Sequence, residues 1–362
     1  MHSSDKIQNV PAENRNMNPD KNTEHVTEIG HARKNKKWPY IAACALVLAG
    51  ILALSSFMSW LLFPYLEMRH TIHVMSRPDY DTLIVGTSHG KAGIDPAILR
   101  NECGMTAINA CLGNERMVDT FYLVRYAAEH TDLKCVILEV DPSYWVLPPY
   151  VTPDSLRIYH EMPRGRLKAE YAFDKLRRED SRNVFFEWYL YRNQIFNIKD
   201  RWEEKHSEEY RNYDIKRFSN AEQTYRADGF MSINRPTENK EKTDEPVEWN
   251  PDNVAHDVLP MLDRLQGYCR KKEIKLVCVT TPIPRSTYEK GLPKTQDSEN
   301  YMQSRMDERS LDYFNYMNAS RDGISTNPED FNDNDGHMYW DTAQNFTKVF
   351  AQDINKMLNS EA

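Results

Sequence analysis

This chain predicts an α/β fold with a mostly parallel sheet, arranged as three α/β/α layers and preceded by one transmembrane helix. Three observations carry that prediction. Strand-like runs at Thr82 to Val85, Met105 to Ala110, Cys135 to Val140 and Ile274 to Thr280 alternate with helical patterns at Asp95 to Asn101, Val118 to His130 and Asp252 to Lys272. Such a rhythm builds βαβ units. The first run, Asp81-Thr-Leu-Ile-Val-Gly-Thr-Ser-His-Gly90, stops at a glycine-flanked turn, and from Trp38 to Leu66 no charged residue occurs.

The apolar stretch exceeds the roughly 20 residues needed to cross a bilayer. Arg33, Lys34, Lys36 and Lys37 precede it, whereas Glu67, Arg69 and His70 follow. The positive-inside bias then sets the N-terminus in the cytoplasm and everything after residue 66 outside, on a single-pass cell-membrane protein. A cleaved signal peptide is the competing reading. The length of the run, the polar residues 1–37 before it and the lack of a small-x-small cleavage site favour an uncleaved anchor.

The resulting organisation is a flexible tail at 1–37, an anchor at 38–66, a juxtamembrane linker at 67–80 and an extracytoplasmic domain at 81–362. Within that domain residues 143–249 break the βαβ rhythm. Phe185-Phe-Glu-Trp-Tyr-Leu-Tyr-Arg192 carries apolar residues at helical spacing and predicts a helical insertion beside the sheet edge, its aromatics mostly core. Residues 235–248 read as an exposed loop, and Asp341 to Leu358 as the last helix.

The chain has 362 residues, 40% hydrophobic and 28% charged, with a net charge of −8. That supports a substantial core, and with no basic stripe it argues against nucleic acid as a partner. Five cysteines follow the anchor without a Cys-x-x-Cys pair or a nearby histidine cluster, so neither a metal nor another cofactor is expected. Cys135 and Cys278 sit in strand-like runs as small apolar residues, and a Cys103–Cys111 disulfide is left open.

Ser88 stands at the C-terminal end of the first strand, where open α/β sheets keep their chemistry. Asp95-Pro96 supplies an N-cap and a first helical residue just after it. A serine becomes a nucleophile only with a base to take its proton and a carboxylate to orient that base. Phe331-Asn-Asp-Asn-Asp-Gly-His337 offers both.

These two motifs, in this order at opposite ends of a βαβ domain, resemble those of the SGNH/GDSL hydrolase superfamily over roughly residues 81–141 and 274–350. Within it the chain is similar to membrane-anchored members that modify envelope polymers, such as D-alanyl lipoteichoic acid transfer and alginate O-acetylation proteins. The resemblance implies Ser88 as nucleophile and His337 as base, but the family's Asp-x-x-His spacing puts Asn334 at the acidic position; the flexible Asp-Gly-His link favours Asp335 as the orienting acid, with Asp333 as the alternative. It implies oxyanion donors at the Ser88 and Gly113 amides, although a turn glycine alone would explain Gly113. The third block of the family, Gly-x-Asn-Asp, is absent. Leu138-Glu-Val-Asp-Pro142 stands in its place, and Asn114 is the candidate to replace the missing asparagine.

His89 and Asp141 are candidate substrate contacts, since a side chain adjacent to Ser88 on a turn diverges from it; simple exposure of His89 is the plainer alternative. Asp119, Arg116 and Arg125 read as a solvated helix face. The implied function is a serine acyltransferase or esterase acting on a polysaccharide or teichoic acid-like polymer, with a multispanning membrane acyltransferase as partner. The alternative is a noncatalytic glycan-binding or assembly protein of the same fold.

Overall fold

The computed structural model describes residues 37–147, 156–237, 241–244 and 248–361. The tail at 1–36 and parts of the insertion and of the 235–248 loop lie outside the described residues. The chain divides after Leu52 into two units. Helix α1, Trp38–Leu62, begins in the first and ends in the second, and it is long and apolar enough to cross a membrane.

In the second unit five strands form the sheet: β1 Thr82–Val85, β2 Ala107–Asn109, β3 Cys135–Glu139, β6 Lys275–Thr280 and β7 Asp312–Asn315, in the order β2-β1-β3-β6-β7. Every pairing is parallel. A short antiparallel hairpin, β4 Gln223–Tyr225 with β5 Met231–Ile233, stands apart. Its turn covers the free edge of β2, where the Asn109 amide donates to the Asp228 carbonyl at 2.8 Å.

The central strands read as unbroken apolar runs because both faces are covered. Leu83, Val85, Val136, Leu138, Leu276 and Cys278 pack towards helix α5, Met117–His130, and helix Val258–Lys271. Ile84, Ile137, Val277 and Val279 pack on the other face, towards α4, Pro96–Cys103, and helix Trp340–Glu361. Three layers result. All six cysteines are free, so the Cys103–Cys111 pairing is not formed. Cys135 and Cys278 are buried in their strands as small apolar groups.

Two expectations are corrected here. The insertion reaches the sheet edge only through the hairpin turn at Asp228, whereas its helices Arg157–Glu161 and Arg166–Lys175 lie elsewhere: Ile158, Tyr159, Leu167 and Tyr171 join the core on the α5 side, one layer out. That placement overturns the solvated reading of Asp119, which is buried and paired with equally buried Lys175 at 2.8 Å, with the Tyr171 hydroxyl donating to it as well. Arg116 is half-buried, with its guanidinium donating to the Tyr144 and Leu147 carbonyls. Arg125 pairs with Glu170 of the insertion.

Removing one partner of a buried ion pair leaves the other charge unpaired at a cost of about 3–5 kcal/mol. Lys175→Met is therefore expected to lower stability by about that amount, read as a shift of the urea unfolding midpoint in detergent. Asp132, exposed and paired with Lys134, is the comparison: Asp132→Asn should change stability by less than about 1 kcal/mol.

Candidate active site

Ser88 opens a short helix, α3, Ser88–Gly93, and α4 follows it with Asp95 as its N-cap and Pro96 as its first residue, as the sequence predicts. Thr87 is its N-cap, accepting from the His89 amide. Gly86 lies at φ +140°, and a Cβ there would stand 2.6 Å from the Glu139 carbonyl oxygen, so only glycine lets β1 turn against β3. The Glu139 carboxylate then holds the turn from beneath. Its Oε2 accepts from the Thr87 amide at 2.7 Å and the Thr87 hydroxyl at 2.8 Å. Burial first, and then the neighbouring Asp141 carboxylate, push Glu139 up to about 7.

Beyond β2 the chain stays in register with β1, the Leu112 amide donating to the Gly86 carbonyl at 3.0 Å. This brings Gly113 beside the nucleophile position: a Cβ built on it would lie 3.9 Å from the Ser88 Cβ. Asn114 follows in a left-handed conformation, φ +64°.

The loop from Phe331 to Met338 closes on itself through a bridge between those two residues. Gly336, at φ +124°, makes the bend. Asp333 sits inside it, its Oδ1 accepting from the amides of Gly336 at 2.9 Å and His337 at 3.0 Å. Its Oδ2 lies 2.8 Å from His337 Nδ1, and His337 Nε2 lies 2.8 Å from Ser88 Oγ. Serine, histidine and aspartate thus stand in one hydrogen-bonded line. Burial works against the Asp333 charge, but the His337 contact and the two amides hold its carboxyl well below the usual range.

Asp335, the favoured orienting acid, does not reach His337 Nδ1. The bend at Gly336 faces position 333 towards 337 and turns 335 towards His89, whose Nε2 is 3.4 Å from Asp335 Oδ2. His89 is not exposed either: it is buried, with its ring centroid 4.5 Å from that of His337. Its Nδ1 lies 3.0 Å from Asp141 Oδ2, a close ion pair rather than an aligned hydrogen bond. Burial alone would lower the His89 pKa. Asp141 and then Asp335 outweigh it and raise the pKa well above the usual value. Asp141, despite its burial, is held low by His89 and by Ser143.

The sign of the pH dependence follows from these two shifts. The raised His89 contributes stability that is full below its unfolded value of about 6.5 and lost as pH rises through its folded value. The depressed Asp141 contributes stability present above about 3.9 and lost as pH falls through its folded value. The melting-temperature difference between the wild type and Asp141→Asn should therefore be largest between about pH 4 and 6.5 and shrink above that window.

Two cavities open on this end of the sheet. One, of about 360 Å³, is lined by His89, Glu139, Asp141, Trp249, Ile283 and Asp335 among others. The other, of about 350 Å³, takes in Thr87, Glu115, Arg116 and Tyr144. Sequence reasoning missed Tyr144, whose phenol interacts with Ser88 and with the Asn114 backbone while burial raises its pKa. The residue follows Asp141-Pro142 in the stretch that replaces the absent third block, and no spacing rule marks it.

His89, Asp335 and His337 each offer a ligand atom within 4.8 Å of the others. Both His337 nitrogens are already engaged, by Asp333 and Ser88, so a metal ion at that imidazole would displace one of these contacts.

No family model matches the chain, and no curated protein matches it. Among the solved structures that resemble it distantly are two, each at 9% identity and a TM-score of 0.37. One is called a "putative acylhydrolase", from Bacteroides fragilis, and the likeness covers 78% of this chain and 91% of that one. The other is called a "putative platelet activating factor", from Streptococcus pneumonia, with 87% and 99% covered. A likeness so distant carries no argument, and the chemistry rests on the residues described above.

Proposed function

We propose that the chain is a membrane-anchored, extracytoplasmic serine acyltransferase or esterase of SGNH type. The observation that carries this reading is the unbroken line from Ser88 Oγ through His337 to Asp333, with 2.8 Å at each step.

In the first half-reaction His337 Nε2 takes the Ser88 proton as Oγ bonds to an ester or thioester carbonyl carbon. The Ser88 and Gly113 amides hold the resulting oxyanion, and loss of one such donor would cost about 2.7–4 kcal/mol. The imidazolium, steadied by Asp333, returns the proton to the leaving oxygen or sulfur as its bond to carbon breaks, leaving an acyl-serine. An acceptor hydroxyl then loses its proton to His337 and attacks the acyl carbon. Ser88 departs with that proton restored. A sugar or polyol hydroxyl makes the protein a transferase; water makes it an esterase.

The substrate class rests on location. A single-pass anchor that leaves residues 67–362 outside keeps the site beside an envelope polysaccharide or teichoic acid-like polymer, with a multispanning acyltransferase as acyl source. His89 and Asp141, lining the cavity that also takes in Trp249 and Asp335, contact the substrate in this reading.

The test is covalent labelling of the full chain in detergent with a fluorophosphonate. Wild type should label and Ser88→Ala should not. An unlabelled, well-folded wild type would sink the serine mechanism and leave the noncatalytic glycan-binding reading. Product analysis with a soluble acyl donor and oligosaccharide then separates transfer from hydrolysis.

A further inference from the structure

Outside α1, nine large apolar side chains of the described residues are exposed, and six of them fall between positions 185 and 202: Phe185, Phe186, Ile195, Phe196, Ile198 and Trp202. Phe196 is 87% exposed. Scattered exposed apolar residues need no account, but concentration in one short segment marks an interaction surface.

The same segment grips the end of α1. The Trp188 indole donates to the Ser55 hydroxyl at 3.0 Å, and the Trp188 amide faces the Ser59 hydroxyl at 3.4 Å. Trp60 meets Trp202 edge-on at 5.9 Å, and Phe63 meets Tyr191 at 5.0 Å. Leu61, Leu62 and Tyr191 form a small core of their own.

Length sets the depth of that contact. α1 has 25 residues, and about 20 suffice to cross the hydrocarbon, so a span starting at Trp38 reaches the far boundary near Phe57. The insertion's contacts, from Ser55 to Phe63, straddle that boundary, with those at Ser59, Trp60 and Phe63 at headgroup level. Tryptophan and other aromatic residues favour that level, and the exposed Arg192 and Lys199 flanking Ile195 to Ile198 can extend their charges towards headgroups.

We infer that residues 185–202 are an interfacial foot, seated in the phospholipid headgroup layer beside the anchor. The domain is then held to the bilayer at two places, the helix and the foot.

The experiment uses the full chain in vesicles of phosphatidylethanolamine and phosphatidylglycerol, with Cys44→Ser and Cys103→Ser as background. Nitroxide labels are placed singly at Phe196→Cys, at Ile198→Cys and, as the water-facing reference, at Lys356→Cys; unchanged melting curves show that each labelled chain is folded. Collision with oxygen relative to a water-soluble nickel chelate should be several-fold higher at 196 and 198 than at 356. A water-like ratio at 196 and 198 would overturn the foot. Low collision with both reagents would overturn it too, showing a face covered by protein, a second copy included.

Discussion

His337→Ala is expected to slow turnover of an activated acyl ester by roughly 10⁶-fold in kcat, with KM little changed, if the site works as a serine–histidine unit. The size follows from the geometry. Ser88 has His337 Nε2 at 2.8 Å as its base, and without it the hydroxyl stays protonated at neutral pH. Ser88→Ala should lose a similar factor, and the double variant little more, because the two residues act together. Stopped turnover of 4-nitrophenyl acetate, alongside thermal melting in the same detergent, measures this. A His337→Ala enzyme keeping more than about a hundredth of wild-type kcat would remove His337 from the mechanism, since general acid–base catalysis contributes at least about 10²-fold.

Asp333→Asn is the second. An asparagine keeps the shape of the loop but presents no carboxylate to His337 Nδ1, so the imidazole loses the tautomer that leaves Nε2 free to accept a proton. A comparable change in a serine protease triad lowers kcat about 10⁴-fold. The same order is expected here, whereas Asp335→Asn, acting only on His89, should lose a small fraction of that. Equal losses in the two variants, or the larger loss in Asp335→Asn, would overturn the assignment read from the 2.8 Å contact.

How far the sequence reaches is visible in particular residues. β1, β3 and β6 are legible because unbroken β-branched runs are what a strand covered on both faces demands. β7, Asp312-Tyr-Phe-Asn315, was not: it is a short edge strand of only partly buried residues and shows no apolar run. Ser88 and His337 are legible as motif residues, yet the choice between Asp333 and Asp335 turns on a backbone bend at Gly336 that spacing does not encode. The same limit hides Asp119. Its charge looks like a solvated face until a helix some 50 positions later, Arg166–Lys175, closes over it. Burial by a distant segment leaves no local signature.

The loop from Phe331 to Met338 carries a mechanical consequence. Asp333 and His337 are separated by three residues and joined by two direct contacts, with a third from Asp333 to the Gly336 amide between them, so thermal motion displaces them as one body. The imidazole keeps its tautomer throughout such excursions, and the separation that varies is the one to Ser88. The soft coordinate of the site is therefore the approach of a preset base to its serine, governed by whatever presses on the outer side of that loop.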